Sequence, residues 1–190
     1  MRQFVKTAIA PLLAVLFLAA CSNGNVSKEK ESNVADSSGQ EKGMAIDATV
    51  TDQSERIQLK DDMLNAIYEQ YNHLTSAVVK GDVKGARLAG NAIETGARSL
   101  SGGEKIALNA AKIAATADLE TLRIAFSALS NDLIVLTKKS GLDKGRLYID
   151  FCPMAMNGKG AYWLSRDKAM QNPYFGEKML TCGEVKGTIQ

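Results

Sequence analysis

An all-α fold, an up-and-down antiparallel bundle of about four helices capped by an irregular C-terminal segment, is predicted by three features of this 190-residue chain. Apolar residues recur at helical spacing through most of residues 57–140. Each periodic stretch ends at a glycine or a capping residue. Only after Gly145 does that periodicity give way to aromatics, cysteines and turn residues.

The amino terminus comes first in chain order. Arg2 and Lys6 precede an apolar run, Ala8 to Leu18, that is too short to span a bilayer comfortably, and Leu18-Ala19-Ala20-Cys21 follows. This pattern resembles a bacterial lipoprotein signal with its lipobox. Residues 1–20 are then a signal peptide, and Cys21 becomes the lipidated new amino terminus, anchoring the chain to a membrane without a spanning helix. Ser22 rather than Asp after the cysteine resembles the sorting pattern for the outer membrane, facing the periplasm. The whole chain carries 23 Lys and Arg against 21 Asp and Glu, and removing residues 1–20 takes away Arg2 and Lys6, leaving 21 of each. That balance offers no basic surplus for nucleic acid and no acidic surplus for cations, so specific sites must carry any function.

Residues 21–56 read as a flexible tether. Stretches such as Ser27–Asn33 and Ser37–Gly43 are polar and aperiodic, so they cannot bury enough surface to offset chain entropy. The bundle is expected over 57–145. Ile57, Leu64, Tyr71 and Val78 recur every seven residues, with Ile67 and Leu74 between them, which predicts a first helix to Lys80, ended by Gly81. Met63 is expected as core filler. Asp82 can cap a second helix, about Val83 to Leu100, that Gly85, Gly90 and Gly96 weaken unless they serve close helix approach. Ser101-Gly102-Gly103-Glu104 has the form of a capping box for a third helix carrying Ile106, Ala110, Ile113 and Ala117. The clearest helix runs from about Asp118 to Lys139, where Leu119, Leu122, Phe126, Leu129, Leu133 and Leu136 alternate by three and four until Gly141.

Residues 146–190 complete the same domain. Leu147–Phe151 is short, aromatic and β-prone, and Pro153 disfavours helix at Cys152, so the chain should run extended across the bundle. Asn157–Gly160 and Asn172-Pro173 read as turns. Tyr162, Trp163, Tyr174 and Phe175 are expected to plug one end of the bundle.

Lipidation of Cys21 leaves Cys152 and Cys182 as the thiols of the mature chain. In an oxidising envelope they can pair as a Cys152–Cys182 disulfide, stabilising by ~3 to 4 kcal/mol in the chain-entropy model. Alternatively, Met154 lies two residues from Cys152 and Met179 three from Cys182, so closing the segment brings two thiolates and two thioethers near one point. That donor set suits Cu(I) or a similar soft ion better than Mg, Ca or Mn. Met156 and Met170 are further candidates. Zinc is less natural, since the chain has one histidine, His73, which falls beside the core stripe of the first helix.

Cys152-Pro-Met-Ala, Gly160-Ala-Tyr-Trp-Leu-Ser165, Asn172-Pro-Tyr-Phe-Gly176 and Met179-Leu-Thr-Cys-Gly183 together resemble the signature of an uncharacterised bacterial domain, a domain of unknown function. It occurs in stand-alone lipoproteins and at the C-terminus of periplasmic adaptor subunits of heavy-metal (copper) efflux pumps. Asp118, Arg123, Phe126, Leu129 and Ser130 resemble that family's last helix. The resemblance runs from about Ile57 to Val185. It implies a helical domain in a copper-handling context, with Cys152, Met154, Met179 and Cys182 as the shared positions, and it carries no catalytic activity.

An enzyme is not expected. A cysteine nucleophile would need a base, for which only His73 is available, and there is neither a Cys-x-x-Cys pair nor a phosphate loop after a strand. The expected function is an envelope lipoprotein binding Cu(I) as chaperone, buffer or sensor beside an efflux system. The alternative is a disulfide-stapled interaction module that docks a pump or envelope partner.

Overall fold

The computed structural model describes residues 56–190. The signal segment, Cys21 and all of the tether except Arg56 lie outside the described residues. Four helices form the larger part of the fold: α1 (Asp62–Lys80), α2 (Val83–Ala97), α3 (Glu104–Ala115) and α4 (Leu119–Ser140). Each packs on its successor through a short connection, as an up-and-down bundle requires.

The caps explain the boundaries. The Asp61 carboxylate accepts the Leu64 N–H at 2.8 Å, so α1 begins at Asp62 and not at Ile57. Gly81 closes it in the left-handed conformation. Asp82 accepts the Gly85 N–H to open α2, and Asp118 takes both the N–H and the hydroxyl of Thr121 at the start of α4. The expected capping box does not form. Leu100 donates to the Ala97 carbonyl and Gly103 to the Leu100 carbonyl, so successive turns absorb Ser101 and α3 starts at Glu104 without a side-chain cap.

The α1 stripe of Leu64, Ile67, Tyr71, Leu74 and Val78 is buried, as is that of α4 at Leu122, Phe126, Leu129 and Leu133. Leu136 is half-buried, and Met63 is 42% exposed and therefore not core filler.

The all-α expectation needs correction beyond the bundle. β1 (Gln58–Leu59) and β2 (Leu142–Lys144) pair antiparallel, joining the chain before α1 to the chain after α4. The C-terminal segment is a three-stranded antiparallel sheet in the order β4-β3-β5, built from β3 (Leu147–Cys152), β4 (Ala161–Ser165) and β5 (Glu184–Ile189). Its formation follows from strand length and turn chemistry. Met156 and Asn157 adopt left-handed conformations between β3 and β4, reversing the chain so that Cys152 faces Ala161 and Asp150 faces Trp163.

α1 and α4 touch each other little, and β4 packs on α4. There the Tyr71 hydroxyl bonds Ser130 of α4 at 2.8 Å and accepts the Leu164 N–H of β4 at 3.2 Å. An aromatic chain follows the same route. Tyr71 stacks on Phe126, Phe126 meets Tyr174 edge-on, and Tyr174 meets Trp163 edge-on, with centroids 5.5 to 5.9 Å apart. Trp163 and Tyr174 are thus buried within the packing between bundle and sheet. Tyr162, at 37% exposure, instead lies against Phe151.

Candidate functional site

Cys152 ends β3 with no exposed surface, and Cys182 is half-buried just before β5. Their meeting is a consequence of strand register. β3 pairs with β5 so that Phe151 faces Glu184, which brings the next residue of β3 alongside the chain entering β5. Burial raises the Cys182 thiol pKa first, and the neighbouring Cys152 thiol raises it further. Both cysteines are thiols in this structure.

The loop that carries Cys182 is fastened by a residue whose sequence signal was only that of a turn. Asn172 is fully buried; its amide nitrogen donates to the Cys182 carbonyl at 2.6 Å. Its side-chain oxygen accepts from the backbone of Tyr174 at 2.8 Å and of Phe175 at 3.3 Å, while its own N–H donates to the Leu180 carbonyl at 2.8 Å. The Cys182 N–H donates to the Met179 carbonyl, closing the turn that follows the 3-10 turn Gly176–Met179. One side chain therefore holds both ends of the Asn172–Cys182 loop.

The methionines are distributed unevenly about this pair. Met170 is half-buried, and its Sδ lies 3.3 Å from the position a Cβ would take on Gly183, next to Cys182. Gly183 has φ +145°, and such a Cβ would also stand 2.8 Å from the Phe151 carbonyl, so the close packing here depends on glycine. Met154 is 45% exposed and lines a groove with Glu120, Arg123, Ile124 and Phe175; Met179 is 39% exposed on the 3-10 turn. Met156 packs against the core edge beside that groove. The structure brings the two thiols together and sets Met170 against Gly183. His73 is on the exposed face of α1.

A second unexpected residue stands two positions before Cys152. Asp150 is 1% exposed, neither carboxylate oxygen has a hydrogen-bond partner among the described residues, and burial pushes its pKa up to about 7. The sequence signal was weak, a lone acid in a β-prone run. Among the described residues, no three His, Cys, Asp or Glu side chains converge as a metal-holding group. Any ion held here would rest on the two sulfurs of the cysteines with thioether or backbone help. That donor set fits a soft, low-coordinate cation and does not fit a hard one.

Residues 67–145 match the model of a family described as a protein of unknown function (DUF3347). The match begins within α1, covers the helical bundle and β2, and stops before β3, so it does not reach the cysteines. No curated protein and no solved structure matches the chain.

Proposed function

We propose, from a helical bundle that matches a family of unknown function and a thiol pair carried on the sheet beyond that match, that this protein is an envelope lipoprotein that binds Cu(I) or a similar soft cation. Cys152 and Cys182 supply the thiolates; Met154 and Met179, with Met170 beside Gly183, are the thioether candidates. The ion is cargo, taken up as chaperone, buffer or sensor linked to metal efflux, with a periplasmic pump component as the partner. Anchoring through Cys21, at the outer membrane facing the periplasm, belongs to the same reading. Binding rather than catalysis is the role assigned, since His73, the chain's one base of that type, sits on the exposed face of α1.

The observation that carries this reading is the adjacency of a fully buried thiol and a half-buried one at a strand end, with no group of three His, Cys, Asp or Glu side chains converging there among the described residues. Two thiolates at one point suit a soft monovalent ion, which accepts few ligands. An anaerobic Cu(I) titration of the Cys21→Ser chain, reduced beforehand, tests it. A competitive one-to-one endpoint that disappears in a Cys152→Ser, Cys182→Ser variant is expected. An equal endpoint in that variant would overturn the assignment.

The same adjacency favours a second reading, a Cys152–Cys182 disulfide in a module that docks an envelope or efflux partner. Closing a loop of this length would stabilise by ~3 to 4 kcal/mol in the chain-entropy model. This reading requires protein purified under oxidising conditions to titrate no free thiol until denatured and reduced, and to take up no copper.

A further inference from the structure

A polar recess along α1 shares none of its lining residues with the thiol pair. Its volume is about 580 Å³, and Arg56, Asn65, Tyr68, Glu69, Asn72 and Arg166 are among the residues that line it. Tyr68 and Asn72 are four residues apart on one helix and so share a face. Among the described residues, Tyr68 has no exposed surface yet its hydroxyl has no hydrogen-bond partner, and Nδ2 of Asn72 is likewise buried and unpartnered. The two groups are neighbours but do not reach hydrogen-bond geometry. Folded proteins leave few buried polar groups unsatisfied, and two on adjacent turns of one recess call for an external partner.

The lining defines that partner's chemistry. Burial raises the Tyr68 pKa well above its ordinary value, so the phenol keeps its proton and can donate. Asn72 has two amide protons to give. Asn65 already uses its side-chain oxygen to accept the Leu59 N–H, which leaves its amide nitrogen as another donor. Arg166, half-exposed, makes one loose ion pair among the described residues, to Asp167 at 3.8 Å, and Arg56 adds a second cation. Donors and positive charge therefore outnumber acceptors, which calls for an anionic oxygen group. Glu69 on the same wall disfavours a dianion by like-charge repulsion, and it accepts a donor from the far end of a ligand.

We infer that this recess binds a small organic carboxylate, with the carboxylate on Tyr68, Asn72 and Arg166 and a donor group, such as an ammonium, toward Glu69. The inference is independent of the copper reading and uses none of its residues. The test is isothermal titration of the full chain with glycine, alanine, succinate and inorganic phosphate, repeated on Tyr68→Phe and Asn72→Asp. At least one carboxylate probe should bind at millimolar concentration or better, and each substitution should weaken it by roughly tenfold or more. Tyr68→Phe removes only an unpartnered hydroxyl, so its melting temperature without ligand should not fall, which separates lost binding from lost folding. No carboxylate binding, preference for phosphate, or equal affinity in both variants would overturn the assignment.

Discussion

At Asn172 one buried amide does the work of a short strand pair. Its side chain and backbone together make five hydrogen bonds that hold the Cys182 loop and the Tyr174 turn together. Asn172→Ala should destabilise by about 2 to 4 kcal/mol in urea unfolding, because it leaves the Cys182 carbonyl and two backbone N–H groups without partners. The Cys182 thiol should also alkylate faster under native conditions, while the Cys182 thiol of wild-type protein stays protected. Asp150 acts in the opposite direction. Its pKa is about 7 folded and 3.8 in the unfolded reference, so between those values the folded state holds a proton that the unfolded state has released. The stability of the reduced, metal-free protein should therefore fall as pH rises from about 4 through about 7. Asp150→Asn should flatten that slope and, at pH 8, gain roughly 1 to 3 kcal/mol, measured by denaturant unfolding across the range. Neither residue announced itself in the sequence. A polar residue before proline looks like any other turn, and an isolated acid in a strand is ordinarily exposed.

At the scale of elements, the helices were legible because one repeating face must be covered, and periodicity records that requirement directly. Strands of the small sheet obey no such simple pattern. In β4 both Trp163 and Leu164 are buried, although successive strand residues point to opposite faces, so both faces are covered there and alternation is lost. In β5 most positions are exposed, and the stretch Glu184–Ile189 has no apolar face to recognise. The two thiols were legible as a pair, and Met170 was legible only as a further thioether candidate. Linear distance favoured Met154 and Met179; Met170 comes close to Gly183 through the path of the Asn172 loop. The glycines of α2 were legible as weak points that could serve close packing, and Gly90 bears this out. A Cβ there would meet Ile113 Cγ2 at 3.0 Å, the Ala110 carbonyl at 3.2 Å and the Ala114 nitrogen at 3.3 Å. Helix propensity alone would favour Gly90→Ala by about 1 kcal/mol. Two of the three obstacles are backbone atoms that cannot step aside, so the net effect should be a loss of about 1 to 2 kcal/mol, read as a lower melting temperature.

At the scale of the whole molecule, the bundle and the sheet are joined at Tyr71. Its hydroxyl meets Ser130 and Leu164, and both pairings are buried. Tyr71→Phe keeps the ring stack on Phe126 but strands the Ser130 hydroxyl and the Leu164 N–H. It should cost about 2 to 3 kcal/mol in guanidinium unfolding, with the helical circular dichroism signal of the native state unchanged. The join also has a temporal side. Ser130 is 59 residues from Tyr71 in sequence, and Leu164 is 93 residues away. Local helix hairpins can form on short loops, but the second partner of this phenol arrives only when the strand holding Leu164 has been made. Until then a polar atom at the centre of the bundle is incompletely satisfied, and final packing must wait for the chain's last quarter. Assembly therefore ends where the thiols are, and Cys152 and Cys182 stay accessible to chaperones, oxidants or metal until the protein is otherwise complete.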